Sequence, residues 1–175
     1  MAAKYWLLKS EPGCYSIDDL AGEPDQTTSW SGVRNFQARN FLREQMSVGD
    51  LALFYHSGNN SSEAGSSAVG PSAVGVVRIV RARCPDQTAL DPGDSHYDPR
   101  STPEKPLWFA VDVRFERKFA VPVPLRAMRV VPALYAMELL RKGSRLSVTP
   151  VSRAEFDTIC RMAEAAEPAQ VTGSA

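Results

Sequence analysis

Residues 108–119, Trp-Phe-Ala-Val-Asp-Val-Arg-Phe-Glu-Arg-Lys-Phe, alternate along their whole length. Phe109, Val111, Val113, Phe115, Arg117 and Phe119 share one face, and Trp108, Ala110, Asp112, Arg114, Glu116 and Lys118 share the other. A period of two marks a half-buried strand, and the first, more apolar face is predicted to pack inward. The chain is therefore committed to a sheet, and the remaining segments decide its kind.

Shorter strands are predicted at Tyr5 to Leu8, Thr27 to Trp30, Leu51 to Ser57, Val74 to Val80 and Leu146 to Val151. Helical signals lie between them. Ser16 with Asp19 three residues on predicts a single capped turn, and Ser152 with Glu155 starts a terminal helix. Asn35 is a cap for a helix over Phe36 to Gln45, in which Ala38, Phe41, Leu42 and Met46 form a buried stripe. Pro132 opens a helix over Ala133 to Lys142 that Gly143 stops. Residues 58–73 are a loop by composition. Residues 85–106, with five prolines and five acids, form a long irregular connection of the kind that is functional or disordered. Regular βαβ spacing is missing, as are the glycine-rich fingerprints of dinucleotide and phosphate loops. The expectation is an α+β chain: a mixed β-barrel with peripheral helices in a single domain.

At 175 residues, 43% of them hydrophobic, the chain is long enough to bury one core without staples. No apolar run approaches a membrane span, and the first residues lack a signal-peptide pattern, so a cytoplasmic protein is expected. Cys14, Cys84 and Cys160 fit neither a disulfide framework nor zinc spacing, and His56 and His96 are far apart; no metal and no cofactor are expected. Twenty basic residues balance twenty acidic ones, which argues against a strong sequence-blind nucleic-acid binder. The charge is uneven, however: residues 101–150 carry nine Lys/Arg against four Asp/Glu, so one basic surface is compatible with overall neutrality.

Residues 30–40, Trp-Ser-Gly-Val-Arg-Asn-Phe-Gln-Ala-Arg-Asn, hold the densest set of candidate ligand contacts. Trp30 offers a flat stacking face, and Arg34, Asn35, Gln37, Arg39 and Asn40 offer paired, directional hydrogen bonds. That inventory suits a planar heterocycle such as a nucleobase.

Four segments in order extend the pattern: Trp6-Leu7-Leu8-Lys9-Ser10-Glu11-Pro12, the 30–40 run, Phe54-Tyr55-His56-Ser57, and Gly143-Ser144-Arg145-Leu146-Ser147-Val148-Thr149-Pro150-Val151. Together they resemble the EVE domain family of the PUA-like superfamily over residues 4–159, with 160–175 as a helix end and flexible tail. The resemblance implies a PUA-like barrel and a pocket that receives one base, with modified cytosine in DNA the leading ligand. Residues 58–73 depart from the family pattern, where this loop tends to be shorter. The implied partner is a nucleic acid carrying a modified base, with no membrane partner and no catalysis. Protein partners are unknown.

The implied ligand-binding set is Lys9, Ser10, Glu11, Trp30, Val33, Arg34, Asn35, Tyr55, His56, Ser57, Arg145, Leu146 and Ser147. Of these, Ser10, Trp30, Val33, Tyr55, His56 and Leu146 would line the pocket, and Trp30→Ala would abolish selective binding while sparing the fold. Each residue has a structural alternative. Trp30 serves equally as core; Ser10 and Glu11 as turn residues; Asn35 as a helix cap; Arg34 as a phosphate ligand or the partner of an acid. Gln37, Arg39 and Asn40 serve equally as a solvated helix face, and His56 as a hydrogen-bonding structural residue. Arg141 and Lys142 are explained by a helix C-terminus, Arg145 less so. Two other functions compete with the DNA reader. One is a module reading modified RNA. The other is a hydrolase with Ser10 or Ser57 as nucleophile and Glu11 orienting His56, although no nucleophile elbow accompanies it.

Overall fold

The computed structural model describes residues 2–58 and 70–167. Six strands, β1 (Tyr5–Ser10), β2 (Thr27–Trp30), β3 (Leu51–His56), β4 (Ser72–Pro85), β5 (Phe109–Pro124) and β6 (Val148–Val151), form one mixed sheet in the order β2-β5-β4-β3-β1-β6. Among the described strands only β1 and β3 run parallel, with Ser10 opposite His56 at their C-terminal ends. Four α-helical segments decorate the sheet: α1 (Ile17–Gly22), α2 (Phe36–Asn40), α3 (Leu125–Met128) and α4 (Arg153–Ala165). The sheet is not closed; β2 and β6 are its edges.

The sheet is nevertheless strongly curled. β5 and β4 separate β2 from β3, so in a flat sheet the outer pair would lie roughly 14 Å apart at normal strand spacing. Trp30 at the end of β2 instead meets Phe54 of β3 edge-on, ring centroids 5.4 Å apart at 89°. Register shifts bend the long β4–β5 hairpin, at Ala73/Gly75 and three further points. At the first bend a side chain on Gly75 would stand 2.3 Å from Ile17 Cδ1 and 2.4 Å from the Arg117 carbonyl oxygen, so α1 lies directly on the strand's backbone.

Alternation then sorts the apolar side chains into two layers. The concave layer holds Trp6, Leu8, Ala52, Phe54, Val77, Val111 and Val113, with Leu42 and Met46 closing it. The convex layer holds Leu7, Leu53, Tyr55, Val76 and Phe119, covered by Phe156 and Ile159 of α4 and by Met128, Leu134 and Met137. Of the predicted inward face, Val111 and Val113 join the concave layer as the alternation predicts, but beyond the register shift at Val76/Val77 Phe119 falls in the convex layer, and Trp108 and Ala110 of the opposite face are also buried.

Local capping is as the sequence predicts. The Ser16/Asp19 and Ser152/Glu155 boxes both form, and Asn35 Oδ1 accepts the Ala38 amide at 3.0 Å. Three expectations are corrected. The helix from Phe36 does not stay α-helical to Gln45: after Asn40 it widens into a π-helical turn, Phe41–Gln45, whose Met46 amide reaches back to the Phe41 carbonyl at 2.9 Å. The widened turn lets Leu42 and Met46 both bury completely. The helix over Ala133 to Lys142 is two 3-10 turns, Pro132–Leu134 and Glu138–Leu140, with extended backbone at Met137 between them. Leu134 at the end of the first turn and Met137 between the turns are both buried. Finally, β4 starts at Ser72 rather than Val74 and runs on to Pro85, so only the rest of the predicted 58–73 loop remains; residues 59–69 lie outside the described residues, as does the tail over 168–175.

Candidate functional site

The parallel strands β1 and β3 end side by side, and their last residues are tied to the turn that follows β1. The Ser10 hydroxyl donates to the Tyr15 carbonyl at 2.6 Å, and the Ile17 amide donates to His56 Nε2 at 3.1 Å. Because Nε2 accepts, the neutral ring carries its proton on Nδ1. Burial pushes the His56 pKa down from 6.5, and Lys118 adds to the effect against Asp18 and Asp19. The Ser57 amide donates to the Ser10 carbonyl at 2.9 Å. Glu11 is exposed, with the Cys14 thiol 3.8 Å from its carboxylate.

Alternation separates the sequence-predicted set into two groups. Lys9 and Tyr55 are register partners, one step out of phase with Ser10 and His56. Tyr55 belongs to the convex layer, 3% exposed among Leu7, Val76 and Val123, and burial pushes its pKa up to about 12 against the opposing charge of Arg129. Lys9 is half-buried; burial lowers its pKa and Glu138 partly offsets this. Its backbone amide donates to the Ser147 carbonyl at 2.8 Å. The structure therefore does not bring Tyr55 into one lining with Trp30.

Trp30, Val33 and Leu146 all belong to the concave layer. With Val74, they are its four members between 5% and 9% exposed; its other buried residues are 2% exposed or less. These four are where the concave core meets solvent, and Val74 is a contributor that the strand pattern alone gave no reason to single out. Trp30 is core and boundary at once. Removing a side chain this buried costs about 3–5 kcal/mol, so Trp30→Ala does not spare the fold as the sequence suggested.

The loop after Trp30 is fixed by a partner far along the chain. Gly32 adopts φ +78° and lies under the His96 ring, which a β-carbon there would approach to 3.0 Å. Its amide donates to Asp86 Oδ2 at 2.8 Å, and Arg34 Nη1 donates to the same oxygen at 2.9 Å. Asp86 Oδ1 takes the Thr88 amide and hydroxyl at 2.9 and 2.6 Å. The remaining Arg34 donors reach Thr88 Oγ1 at 3.1 Å and the His96 carbonyl at 2.7 and 3.0 Å. Burial pushes the Asp86 carboxyl up, but Arg34, Thr88 and the Gly32 and Thr88 amides outweigh it, and the net pKa is lowered. Arg34 thus pairs with a buried acid while itself remaining partly exposed, and its guanidinium is occupied by the chain's own acceptors. Asp86, Thr88 and His96 are the residues that sequence reasoning missed. Their signal was the long acidic, proline-rich connection itself, and Asp98 anchors its far end by accepting Trp108 Nε1 at 2.7 Å.

Asn35 is exposed and caps α2. Arg145 is exposed and makes no hydrogen bond or ion pair with a described side chain, while Ser147 is half-buried. The basic surplus over residues 101–150 is partly neutralised: Arg117 pairs with Glu164, Lys118 with Asp18 and Arg141 with Glu138, whereas Arg126, Arg129, Lys142 and Arg145 pair with no described acid. Arg141 and Lys142 follow a 3-10 turn, so the helix-dipole explanation for them lapses. Among the described residues no group of three or more His, Cys, Asp or Glu is placed to hold a metal, and no helix is long and apolar enough to cross a membrane. The site combines an apolar boundary, neutral donors and acceptors and a neutral imidazole, which suits an uncharged planar ligand better than a metal or a bare anion.

Comparison with known proteins agrees with this class of fold. The family model of the EVE domain matches residues 4–162. Thymocyte nuclear protein 1 of chicken is 40% identical over 176 residues, covering 91% of this chain and 69% of that protein. A solved protein from Leishmania major is 43% identical with a TM-score of 0.81, covering 94% of this chain and 96% of that one. Human THYN1 protein, solved in complex with 5-methylcytosine containing DNA, is 37% identical with a TM-score of 0.79, covering 95% and 100%. The chain belongs to the EVE domain family, with the open, mixed PUA-like sheet of its relatives.

Proposed function

We propose that this chain is a non-catalytic reader of a modified base in nucleic acid, with 5-methylcytosine as its ligand. The observation that carries the proposal is the human relative in complex with 5-methylcytosine containing DNA, alike over nearly the whole of both chains. The local chemistry is consistent with it. The base enters at the concave boundary formed by Trp30, Val33, Val74 and Leu146, where apolar surface accepts a methyl group. Ser10 and His56, with the backbone around them, read the base edge; the exposed Arg145, next to Leu146, meets phosphate. Taking the base out of a duplex costs a few kcal/mol, which stacking at about 1–3 kcal/mol per base and edge contacts must offset.

A hydrolase has less support. The Ser10 hydroxyl is directed to the Tyr15 carbonyl and His56 Nε2 is engaged by the Ile17 amide, so neither is poised for the other.

The test is a binding panel of cytosine and 5-methylcytosine oligonucleotides, in DNA and matched RNA, read by anisotropy. Wild-type protein is expected to prefer the methylated DNA. Trp30→Phe, which keeps an aromatic core residue but narrows the stacking face, is expected to lose about tenfold in affinity, the equivalent of about 1.4 kcal/mol. Equal binding of methylated and unmethylated strands, or a preference for RNA, contradicts the proposal.

A further inference from the structure

The surface just beyond the Ser31–Asn35 loop carries an ordered column of arginines and aromatic rings. Arg34 lies over Trp108, 5.3 Å from the ring centroid. Trp108 stacks on Phe36 at 4.9 Å and 23°, and Arg39 lies over Phe36 at 4.9 Å. One turn further along the helix, Arg43 lies over Phe109 at 5.7 Å. Trp108 is buried at 2% exposure, but Phe36 is 50% exposed.

Two features set this column apart from a structural clamp. The first is the state of Arg39. Its guanidinium is held in orientation by neutral acceptors, Asn40 Oδ1 at 2.8 and 3.1 Å and the Leu107 carbonyl at 3.2 Å, and it forms no ion pair with a described residue. The second is Arg43, which stands four residues on and shares its guanidinium with the exposed Glu44 carboxylate beside it. Like charges at that helical spacing are destabilising. Burial and then Arg43 lower the Arg39 pKa, with only Glu44 opposing. A clamp needs rings; it does not need a second, oriented and uncompensated cation beside an existing one. Paired cations interleaved with an exposed ring fit a polyanion whose repeating unit also carries a flat face.

We propose that Phe36, Arg39 and Arg43 form a second contact ledge, which holds the strand beyond the immediate neighbours of the base read at the Trp30 boundary. The inference rests on the reader function above. Arg39 takes a phosphate, Arg43 takes a second by giving up its ion pair with Glu44, and Phe36 with the Arg39 guanidinium packs against a neighbouring sugar or base. The column begins at Arg34, in the loop that follows Trp30, and ends at Arg39 three steps of about 5 Å away. At about 3.4 Å per stacked nucleotide this reach is on the order of four nucleotides.

The test compares a 5-methylcytosine trinucleotide with a longer strand carrying the same modified base, by anisotropy across a salt series, for wild type, Phe36→Ala, Arg39→Gln and Arg43→Gln. Arg43 lies at the margin of the column, so its variant keeps the test valid even if Arg39→Gln fails to fold. The expected result is trinucleotide affinity unchanged in each variant and long-strand affinity about tenfold lower in Phe36→Ala. Each arginine variant is expected to reduce the slope of log affinity against log salt by about one, the signature of one lost phosphate contact. Long-strand affinity and salt slope unchanged in all three variants, with methyl preference intact in wild type, overturn the ledge and leave the reader standing. No wild-type binding to either strand overturns both. Displacement of the strand from the ledge by poly-glutamate of equal charge overturns the assignment in favour of an acidic protein segment.

Discussion

His56 ties the end of β3 to the start of α1 through one hydrogen bond that only its neutral ring accepts. Its pKa lies below the ordinary 6.5, burial being the main cause. The unfolded chain therefore binds this proton more tightly than the folded one. The stability contributed is complete above about pH 6.5 and declines as pH falls from there through the lower folded value. The imidazole is expected to titrate by NMR with a midpoint below 6.5, and the denaturant midpoint is expected to fall in the same window in wild type but less in His56→Gln. A His56 midpoint at or above 6.5 contradicts this account. Residues whose partners lie close in sequence were legible beforehand. The Asn35, Ser16 and Ser152 caps each involve a residue three positions away. Arg34 was not legible, because Asp86 is 52 residues distant and no local chemistry announces the pair.

Among the elements, β4 depends most on a single position. Ala at Gly75 places a methyl 2.3 Å from Ile17 Cδ1 and 2.4 Å from a backbone oxygen that cannot swing aside. Overpacking of this kind costs about 1–3 kcal/mol, and Gly75→Ala is expected to lower the denaturant midpoint accordingly. Gly22, at the end of α1, has nothing within 4 Å of its missing β-carbon and serves as the control: Gly22→Ala is expected to be neutral or slightly stabilising. Equal effects at the two glycines contradict the close approach of α1 to β4. All six strands were legible, β5 from its period-two alternation and the others from short apolar or β-branched runs bounded by turn residues. The two misread helices have different causes. Apolar residues at i, i+3 and i+4 are common to α and π backbones, so the stripe of Ala38, Phe41, Leu42 and Met46 did not separate them; Pro132 and Gly143 mark the ends of a segment without fixing the backbone between them as α-helical.

For the molecule as a whole, a ligand that binds only the folded state raises its stability. At a hundred times its dissociation constant, a 5-methylcytosine strand adds about 2.7 kcal/mol, which for a domain of this size corresponds to roughly 5–10 °C in Tm. Thermal scans with methylated and unmethylated strands at equal concentration are expected to differ, the methylated strand giving the larger rise; identical curves contradict methyl-selective binding. Fold class and candidate residues could be read from the chain, but not which face each residue served. Lys9 and Tyr55 share their motifs with Ser10 and His56, and one step of strand alternation turns them away from the concave side. The sheet's open edge has a consequence of its own. The Lys9 amide meets the Ser147 carbonyl, so residues 147, 149 and 151 turn toward β1 and Pro150 turns outward. An incoming strand from another copy meets a missing N–H at the middle of β6. At high concentration the chains have no continuous seam there along which to zip into filaments.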